Sequence, residues 1–397
     1  MRIGVAAALV GGELVDGDVE VIDGRVAAVG LGAPSGSRIA APGFVDLQVN
    51  GFAGVDFSAP GEDGYAVAGA ALLAGGVTAF QPAIVTGELD AMRASLAMVP
   101  APAAHPGTDS AGPGRAHASV ADPVRRAGRM DLSARAAAPG PRVIGAHLEG
   151  PFISPSRPGA HDPSAIRPPD PAALDALLAA GAVSQVTLAP ELPGALELVD
   201  ALVARGVTVS LGHTEADAAT AHRAFDRGAS AVTHLFNAMR RPAPRDPGIA
   251  FAALGREDVF VTLIVDGHHL ADDTVRTAWR AAGDRLVLIS DAVAAAAAPD
   301  GDYTLGGTVP IHSGGGKVRT ATGALAGSTL TMLAAVRNCH ALGIPLAAAL
   351  RAATEAPARM ARRPDLGHLA PGAPADLVIL DDSLELHSVL VAGSQVA

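Results

Sequence analysis

The chain has 397 residues, of which 49% are hydrophobic and only 3% aromatic, so its core must be built largely from Val, Leu, Ile and Ala. The formal net charge of −11 argues against a nucleic-acid or anionic-membrane surface, and the single cysteine, Cys339, excludes an intrachain disulfide or a cysteine-based zinc cluster. No apolar run approaches the ~20 residues of a membrane span, and the N-terminus does not look like a signal peptide. We therefore expect a cytoplasmic protein without nucleic-acid or membrane partners.

The two ends of the chain share one pattern and the middle has another. The first forty residues alternate with period two and contain "VDGD" and "IDGR", which predicts short antiparallel strands, and the last thirty residues look the same. Between them, short Val/Ile/Leu-rich runs are separated by Ala-rich segments of helical length. This is the signature of repeated βαβ units.

Eight such runs predict a closed (β/α)8 barrel rather than an open sheet. They are "GFVDLQV", "GVTAFQPAIV", "RVIGAHL", "VSQVTLAP", "GVTVSLGH", "SAVTHLF", "DVFVTLIVDG" and "RLVLISDA". The stretch at about 101–140, between the second and third runs, is rich in Pro, Gly, Ala and Ser. It is predicted to be a mobile insertion outside the barrel.

Polar residues close most of these runs, and the carboxyl ends of barrel strands converge on one mouth. A carboxylate such as Glu149, placed directly after an apolar run, is rarely buried without a partner. The residues that end runs in this way are Gln48, Asn50, Glu149, His213, His234, Asp266, His269 and Asp291.

Each of these residues also has a purely structural explanation when taken alone. His213 would merely precede a helix capped by Thr214, His234 would be a hydrogen-bonded core histidine, and Asp291 would cap the Ala-rich segment after it. Taken together, one carboxylate and two imidazoles at neighbouring strand ends favour a metal site, because burying them without a cation costs several kcal/mol. Glu149, His213 and His234 are thus the predicted ligands.

This ligand set suits one Zn²⁺ per subunit with a free coordination position, and Fe²⁺, Mn²⁺ or Co²⁺ would also fit it. Asp291 is then the carboxylate left over. It is expected to stay ionised beside the cation and to take a proton from the attacking water as a general base. Such a site is typical of hydrolysis at a carbonyl.

The motifs "PGFVDLQVNGFAGVDF", "HLEGPFI", "PGAHDP", "LGHTEA", "THLFNAM", "VDGHHL", "SDA" and "LAGSTLTM" occur in this order. Their sequence resembles the N-acetylglucosamine-6-phosphate deacetylase family of the amidohydrolase superfamily over nearly the whole chain. The resemblance implies a small β-sandwich formed by both termini, residues 1–42 and 358–397, beside a hydrolase barrel at 43–357.

The resemblance also implies roles for individual residues. It assigns Glu149, His213 and His234 to the metal, and Asp291 to a general base that later acts as an acid. His161 corresponds to a residue that contacts the acetamido group and polarises its carbonyl. The substrate-binding set that it implies is Ala160, His161, Asn237, Ala238, Arg245, His269, Leu325, Ala326 and Gly327.

A homodimer follows from the same resemblance. His269 and Arg245 match the phosphate-binding pair, and in the family this arginine completes the site of the neighbouring subunit. Physically, a guanidinium fork suits a phosphate dianion, and "NAMRRPAPRDPG" concentrates arginines in an acidic chain. Arg240 and Arg241 are predicted to be ordinary solvated loop charges.

Two further motifs argue against a second metal ion and against a P-loop. The His-x-His pair that holds a second metal in many amidohydrolases is replaced by Gln48 and Asn50, and no strand end offers a lysine, so a single ion is expected. "HSGGGK", His312 to Lys317, lacks the P-loop spacing and is predicted to be a hairpin tip.

The predicted reaction is hydrolysis of N-acetylglucosamine 6-phosphate to acetate and glucosamine 6-phosphate. The same reaction on N-acetylgalactosamine 6-phosphate remains open, because one hydroxyl distinguishes the two sugars. A cyclic-amide hydrolase of the dihydroorotase type is disfavoured by the missing His-x-His and lysine. A non-catalytic sugar-phosphate-binding protein is disfavoured because the metal set is complete.

Overall fold

The structure is a computed structural model that describes residues 1–32, 36–102 and 140–397. The predicted insertion at about 101–140 therefore lies almost entirely outside the described residues. None of the helices in these ranges is long and apolar enough to cross a lipid bilayer.

The regular elements follow the order expected from the sequence. The strands are β1 (Ala7–Val10), β2 (Glu13–Asp16), β3 (Asp18–Ile22), β4 (Arg25–Leu31), β5 (Ile39–Pro42), β6 (Phe44–Val49), β7 (Gly51–Phe52), β8 (Val55–Asp56), β9 (Val77–Val85), β10 (Arg142–Val143), β11 (Ala146–Glu149), β12 (Val183–Leu188), β13 (Thr208–Leu211), β14 (Ala231–Val232), β15 (Phe260–Leu263), β16 (Leu286–Leu288), β17 (Gly301–Leu305), β18 (Val309–Gly314), β19 (Lys317–Thr320), β20 (Leu377–Leu380), β21 (Leu386–Val391) and β22 (Ser394–Gln395). The helices are α1 (Gly64–Ala74), α2 (Leu89–Met98), α3 (Pro171–Leu178), α4 (Ala195–Ala204), α5 (Ala218–Asp226), α6 (Gly248–Leu254), α7 (Asp272–Ala282), α8 (Met332–Ala341), α9 (Leu346–Ala352) and α10 (Glu355–Met360).

All eight predicted runs contain strands of one parallel barrel. Starting from β6, the neighbours are β9, β11, β12, β13, β14, β15 and β16, and β10 extends the pairing along β9. The two ends of this sheet meet through a bridge between Val49 and Ala292, where the Asn50 amide donates to the Ala292 carbonyl at 2.7 Å. The barrel is thus nearly closed, as predicted.

Burial on both faces explains why these strands read as continuous apolar runs. Every residue of β9 is buried, as is every residue of β6, because side chains fill the barrel on one side and helices cover the other. The helices carry matching signals: α7 has Asp272 and Asp273 in its first turn and Arg280 in its last, which suits the helix dipole.

Both chain termini contribute to separate sheets outside the barrel. One six-stranded sheet has the order β2-β1-β5-β20-β21-β22. Its N-terminal half and its C-terminal half meet where β5 pairs with β20. The β3–β4 hairpin turns at Asp23 and Gly24, both with positive φ, as the "IDGR" motif predicts. The terminal β structure predicted from the alternating pattern is confirmed.

A three-stranded antiparallel sheet, β17–β18–β19, follows the last barrel strand. Gly315 and Gly316 form the turn between β18 and β19, which confirms that "HSGGGK" is a hairpin tip. Cys339 lies fully buried in α8, the structural role expected from its helical setting.

A buried ion pair joins the barrel to the terminal sheet. The Arg142 guanidinium in β10 contacts the Asp376 carboxylate just before β20, and a second carboxylate, Asp365, lies 3.6 Å from Arg142 Nη1. Asp376 also accepts a hydrogen bond from the Ala392 amide at 2.8 Å. The pair therefore connects β10 with the distant C-terminal segment that carries Asp365, Asp376 and Ala392.

Candidate active site

Four ionisable residues lie at the carboxyl ends of barrel strands and face one cavity. Glu149 ends β11, His213 follows β13, His234 follows β14 and Asp291 follows β16. Three of them, His213, His234 and Asp291, have positive φ values of 48°, 33° and 49°. Non-glycine residues in this conformation are strained, and such strain concentrates at functional sites.

The side chains of Glu149, His213 and His234 converge tightly. Glu149 Oε1 lies 3.1 Å from His213 Nε2 and 3.0 Å from His234 Nε2, and the two imidazole nitrogens are 3.1 Å apart. One potential ligand atom from each residue lies within 4.8 Å of the other two. All three residues are buried, so water does not screen them.

Hydrogen bonding fixes how His213 faces this cluster. Its Nδ1 lies 2.9 Å from the Arg157 carbonyl oxygen, which can only accept, so Nδ1 carries the proton and the Nε2 lone pair points at Glu149. A lone pair facing a carboxylate oxygen is repulsive unless a proton or cation lies between them. The donor set is therefore complete for a divalent cation, and the three residues fit one.

The electrostatics of the three residues are consistent with this. Burial would raise the pKa of Glu149, but the close contacts of its carboxylate with His161, His213 and His234 lower it well below its usual range. Burial and the neighbouring His161 lower the pKa of His213 to about 4, which keeps it neutral as a metal ligand must be. Burial opposes but does not overcome the Glu149 hydrogen bond and charge, which raise the pKa of His234.

Asp291 stands apart from the triad and is held by two amides. Gln48 Nε2 donates to Asp291 Oδ1 at 3.1 Å, and Asn50 Nδ2 donates to the same oxygen at 2.8 Å. Burial, reinforced by the Glu149 charge, raises the pKa of Asp291 to about 6 in the absence of a cation. The sequence identified Gln48 and Asn50 only as missing metal ligands, whereas the structure shows that they are hydrogen-bond donors to Asp291.

His161 completes the polar wall of the cavity. Its Nδ1 accepts a hydrogen bond from the Thr86 amide at 3.3 Å, which places the ring proton on Nε2. That Nε2 lies 3.7 Å from Glu149 Oε2. His161 can therefore donate a hydrogen bond from beside the candidate metal site.

The cavity has a volume of about 170 Å³, which limits it to a small ligand or the reacting part of a larger one. Most of the predicted substrate-binding residues line it, namely Ala160, His161, Asn237, Ala238, His269, Leu325 and Gly327. Ala326 is fully buried behind this wall. Arg245 lies on an exposed loop and does not line the cavity of its own chain.

His269 is oriented by a carboxylate that ends the same strand region. Its Nδ1 lies 2.8 Å from Asp266 Oδ2, so Nδ1–H donates and Nε2 is directed elsewhere. Burial would raise the pKa of Asp266, but the hydrogen bond and charge of His269 lower it to about 2. The ionised Asp266 carboxylate therefore holds the His269 ring in one orientation on the cavity wall.

The structural explanations offered for His213 and Asp291 do not hold. Helix α5 begins at Ala218 and its cap is Asp217, whose carboxylate accepts from the Thr220 amide at 2.7 Å. Thr214 instead donates to Glu191 Oε2 at 2.5 Å. The residues after Asp291 form no helix, so Asp291 caps nothing.

A network of charged loop residues behind the site was missed from the sequence. Glu191 accepts from Thr214 and from the Glu215 amide, and Glu215 pairs with the Arg157 guanidinium. Because the Arg157 carbonyl is the partner of His213, this network fixes a metal-ligand candidate from behind. These residues come from three strand-end loops, those after β11, β12 and β13, so no local spacing in the sequence indicates the network.

Arg240 belongs to a neighbouring loop and is structural. Its Nε donates to Asp246 Oδ2 at 2.7 Å. Arg240 is a partly exposed loop charge, and the turn that follows brings Asp246 back against it, a pairing that the prediction did not include. Arg241 is exposed, as predicted.

Comparison with known proteins identifies the class of this barrel and site. The model of the amidohydrolase family matches residues 39–396. The chain belongs to the amidohydrolase family.

Within that family, the most informative relatives are deacetylases of amino-sugar phosphates. The chain is 38% identical to N-acetylglucosamine-6-phosphate deacetylase from Bos taurus, with 91% of this chain and 84% of the relative covered. It is 36% identical to N-acetylgalactosamine-6-phosphate deacetylase from Escherichia coli O157:H7, with 96% and 95% covered.

A solved structure gives the same result in three dimensions. An Asp-to-Ala variant of N-acetyl-D-glucosamine-6-phosphate deacetylase from Mycobacterium smegmatis, in complex with N-acetyl-D-glucosamine-6-phosphate, superimposes with a TM-score of 0.86 and 37% identity. The alignment covers 100% of this chain and 99% of that one.

Proposed function

We propose that the protein hydrolyses N-acetyl-D-glucosamine 6-phosphate to acetate and D-glucosamine 6-phosphate. The observation that carries the proposal is the convergence of Glu149, His213 and His234 beside a separately held Asp291 in one small cavity. The similarity to amino-sugar-phosphate deacetylases over nearly the whole chain supports the choice of substrate.

Glu149, His213 and His234 would hold one divalent cation, and Zn²⁺ suits two nitrogens and one oxygen best, with Fe²⁺, Mn²⁺ or Co²⁺ as substitutes. When bound, the cation supplies Lewis acidity to water and to the amide carbonyl. The replacement of His-x-His by Gln48 and Asn50 supports a single ion, because both amides are engaged with Asp291.

Asp291 acts first as a base and then as an acid. It takes a proton from water as the water oxygen bonds to the carbonyl carbon, and His161 Nε2–H donates to the oxygen on which negative charge develops. Asp291 then gives its proton to the amide nitrogen. The C–N bond breaks, and acetate and the free amine leave.

The phosphate would be held at the outer edge of the cavity. His269 lies on the cavity wall with its imidazole oriented by Asp266, and Asn237, Ala238, Leu325 and Gly327 surround the space for the sugar. Arg245 is exposed on its own chain, which supports its contribution to the neighbouring subunit of a homodimer. Remote binding of this kind positions the amide for attack.

Two further assignments belong to the same proposal. Residues 1–42 and 358–397 would form the β-sandwich domain, and 43–357 the hydrolase domain, because one sheet contains strands from both ends of the chain.

The proposed substrate also favours a cellular location. A phosphorylated sugar is a dianion that does not cross membranes freely, so an enzyme that consumes it would work in the cytoplasm.

The test is acetate release from N-acetylglucosamine 6-phosphate by chelated and then metal-restored protein. We expect no release after chelation and recovery with Zn²⁺ or another divalent ion. A fully metallated protein that binds the sugar phosphate without releasing acetate would instead be a sugar-phosphate-binding protein.

Sugar preference is measured in the same assay. The gluco and galacto substrates differ at one hydroxyl, so kcat/KM for each, with matched metal content, ranks them directly. We expect the gluco epimer to be preferred. A reversed ratio would assign the protein to the galactosamine branch represented by the Escherichia coli relative.

The dimer is tested by complementation. Arg245→Ala should raise KM strongly while leaving metal content unchanged. Mixing it with an Asp291→Asn variant should restore about a quarter of wild-type sites if subunits exchange, because one mixed site then has a wild-type base and a wild-type arginine. A protein that stays monomeric at assay concentration contradicts this arrangement.

A further inference from the structure

The side chain of Asn50 has an oxygen whose burial is not explained by its hydrogen bond to Asp291. Its Nδ2 donates to Asp291 Oδ1 at 2.8 Å, and this fixes the orientation of the amide, because an ionised carboxylate can only accept. The opposite orientation would bring two oxygens to the same distance. The Asn50 carbonyl oxygen Oδ1 is thereby directed away from Asp291.

That oxygen has no hydrogen-bond partner within the described ranges of the chain, and it is buried. Asn50 itself is only 4% exposed and lines the cavity beside Asp291. Among the described residues of the cavity wall, it contributes the one buried oxygen that is left without a donor. An unpaired buried acceptor is costly, and such exceptions call for a functional explanation.

Gln48 provides an internal comparison. It donates to the same Asp291 oxygen at 3.1 Å and is just as deeply buried, but it does not line the cavity. The two amides therefore share one task, holding Asp291 Oδ1 so that the second oxygen, Oδ2, remains for proton transfer. Only Asn50 also reaches the space that the substrate enters.

We propose that Asn50 binds the nitrogen of the scissile amide, with Oδ1 accepting the substrate N–H while Nδ2 holds Asp291. The inference rests on the proposed function and specifies how its leaving group is recognised. One amide side chain would then fix both the nitrogen and the carboxylate that protonates it. The nitrogen lone pair is presented to Asp291 Oδ2 as the carbonyl carbon becomes tetrahedral.

The inference predicts selectivity for a leaving group that carries hydrogen. An ester lacks the N–H, so an enzyme that recognises it through Asn50 should lose more on the amide than on the ester when Asn50 is removed. A purely positional role, exerted through Asp291, would slow both reactions equally, since both leaving groups need its proton.

The experiment compares N-acetylglucosamine 6-phosphate with 2-O-acetylglucose 6-phosphate in wild type, Asn50→Ala and Gln48→Ala, at matched metal content. For Asn50→Ala we expect kcat/KM to fall on the order of tenfold more for the amide than for the ester. For Gln48→Ala we expect equal losses on both substrates, within about twofold. Equal losses in Asn50→Ala would overturn the proposal.

Binding of the product gives a second readout that does not depend on turnover. Asn50→Ala should weaken competitive inhibition by glucosamine 6-phosphate by about tenfold and leave inhibition by 2-deoxyglucose 6-phosphate, which has no hydrogen-bond donor at C2, unchanged. Asn50→Ser keeps a small polar side chain and serves if the alanine variant folds poorly. Unchanged inhibition by the amino sugar in both variants contradicts the proposal.

These outcomes are separable from failure of the proposed function. Metallated wild-type protein that releases no acetate from the amide refutes the deacetylase assignment, and the Asn50 inference falls with it. An active wild type with no amide-specific loss in the Asn50 variants refutes the Asn50 inference alone.

Discussion

Two buried clusters of ionisable side chains lie at opposite ends of the barrel strands, and they solve the problem of buried charge differently. At the terminal sheet, the Asp376 carboxylate contacts the Arg142 guanidinium, so the chain supplies both signs of charge. At the cavity, the Glu149 carboxylate faces His213 and His234, whose nitrogens approach it at 3.1 and 3.0 Å. Among the residues that the structure describes, none supplies a lysine or arginine to this cavity.

This difference in charge pairing suggests a structural role for the Arg142 cluster and a metal-binding role for the Glu149 cluster. A guanidinium stays protonated under all ordinary conditions and makes the first cluster complete. Two buried imidazoles and a carboxylate with no guanidinium or ammonium beside them make the second cluster a receptor for a cation. Substitutions in the Glu149 cluster should therefore reduce activity, whereas substitutions in the Arg142 cluster should reduce the free energy of unfolding.

Removing the metal-site carboxylate should have the largest effect. Glu149→Gln exchanges an anionic ligand for a neutral amide of the same shape, so we expect metal affinity to fall on the order of 10²-fold or more and acetate release to disappear with it. Metal content after dialysis and turnover at saturating substrate measure the two effects.

Glu191→Gln is the matched control for that substitution. Glu191 lies on a neighbouring strand-end loop and accepts hydrogen bonds from Thr214 and Glu215, but it is not in the ligand cluster. Because Glu191 reaches His213 only through Glu215 and Arg157, Glu191→Gln should lose much less metal affinity and activity than Glu149→Gln, about tenfold at most. If both variants lost metal equally, the cluster would not be the binding site.

Asp291→Asn separates proton transfer from metal binding. We expect kcat to fall about 10²- to 10⁴-fold, the usual contribution of general acid–base catalysis, because an amide cannot take up or return the proton. Metal content should remain that of wild type. A variant that loses its metal would show that Asp291 is a ligand instead.

The Arg142 cluster should respond in stability rather than in catalysis. Arg142→Met leaves Asp376 buried without its cation, and we expect a loss of about 3–5 kcal/mol in the free energy of unfolding. Denaturant titration measures the loss, while kcat of the folded fraction should stay near the wild-type value.

A double variant tests whether the missing charge is the cause. Arg142→Met combined with Asp376→Asn removes both charges and keeps an acceptor for the Ala392 amide, so most of the lost stability should return. Additive losses in the double variant would mean that packing of the arginine stem, rather than charge, dominates.

The sequence predicted the eight barrel strands and the cluster of Glu149, His213 and His234 for the same physical reason. Each strand is buried on both faces, so its apolar run is conspicuous, and a residue such as Glu149 or His234 stands out because it interrupts that run. The position of the carboxyl strand ends in a barrel then brings distant residues together without any knowledge of their contacts.

Contacts between side chains from distant loops could not be predicted from the sequence. The Arg142–Asp376 pair spans 234 residues, and the Gln48 and Asn50 bonds to Asp291 span more than 240. No spacing rule connects such positions. Both amides were therefore interpreted only through the ligands that they replace, and the hydrogen bonds that they make appeared in the structure alone.

The pH dependence of activity gives the smallest but most specific effect. Burial and the Glu149 charge raise the pKa of Asp291 to about 6 without a cation, and a cation bound by Glu149 must lower it, because positive charge favours the carboxylate. Asp291 acts as a base only when ionised. Activity should therefore be full above this pKa and fall tenfold per pH unit below it, with a midpoint no higher than about 6.

The measurement is kcat/KM between pH 4.5 and 8, a window chosen at about two units around that value, with metal content checked at each point. The residual activity of Asp291→Asn should lack the acidic limb that wild type shows. If the limb persists in that variant, another group controls it, and His213 or His234 would be losing the metal to protons. That outcome would move the pH sensitivity from the base to the cluster that lacks its own cation.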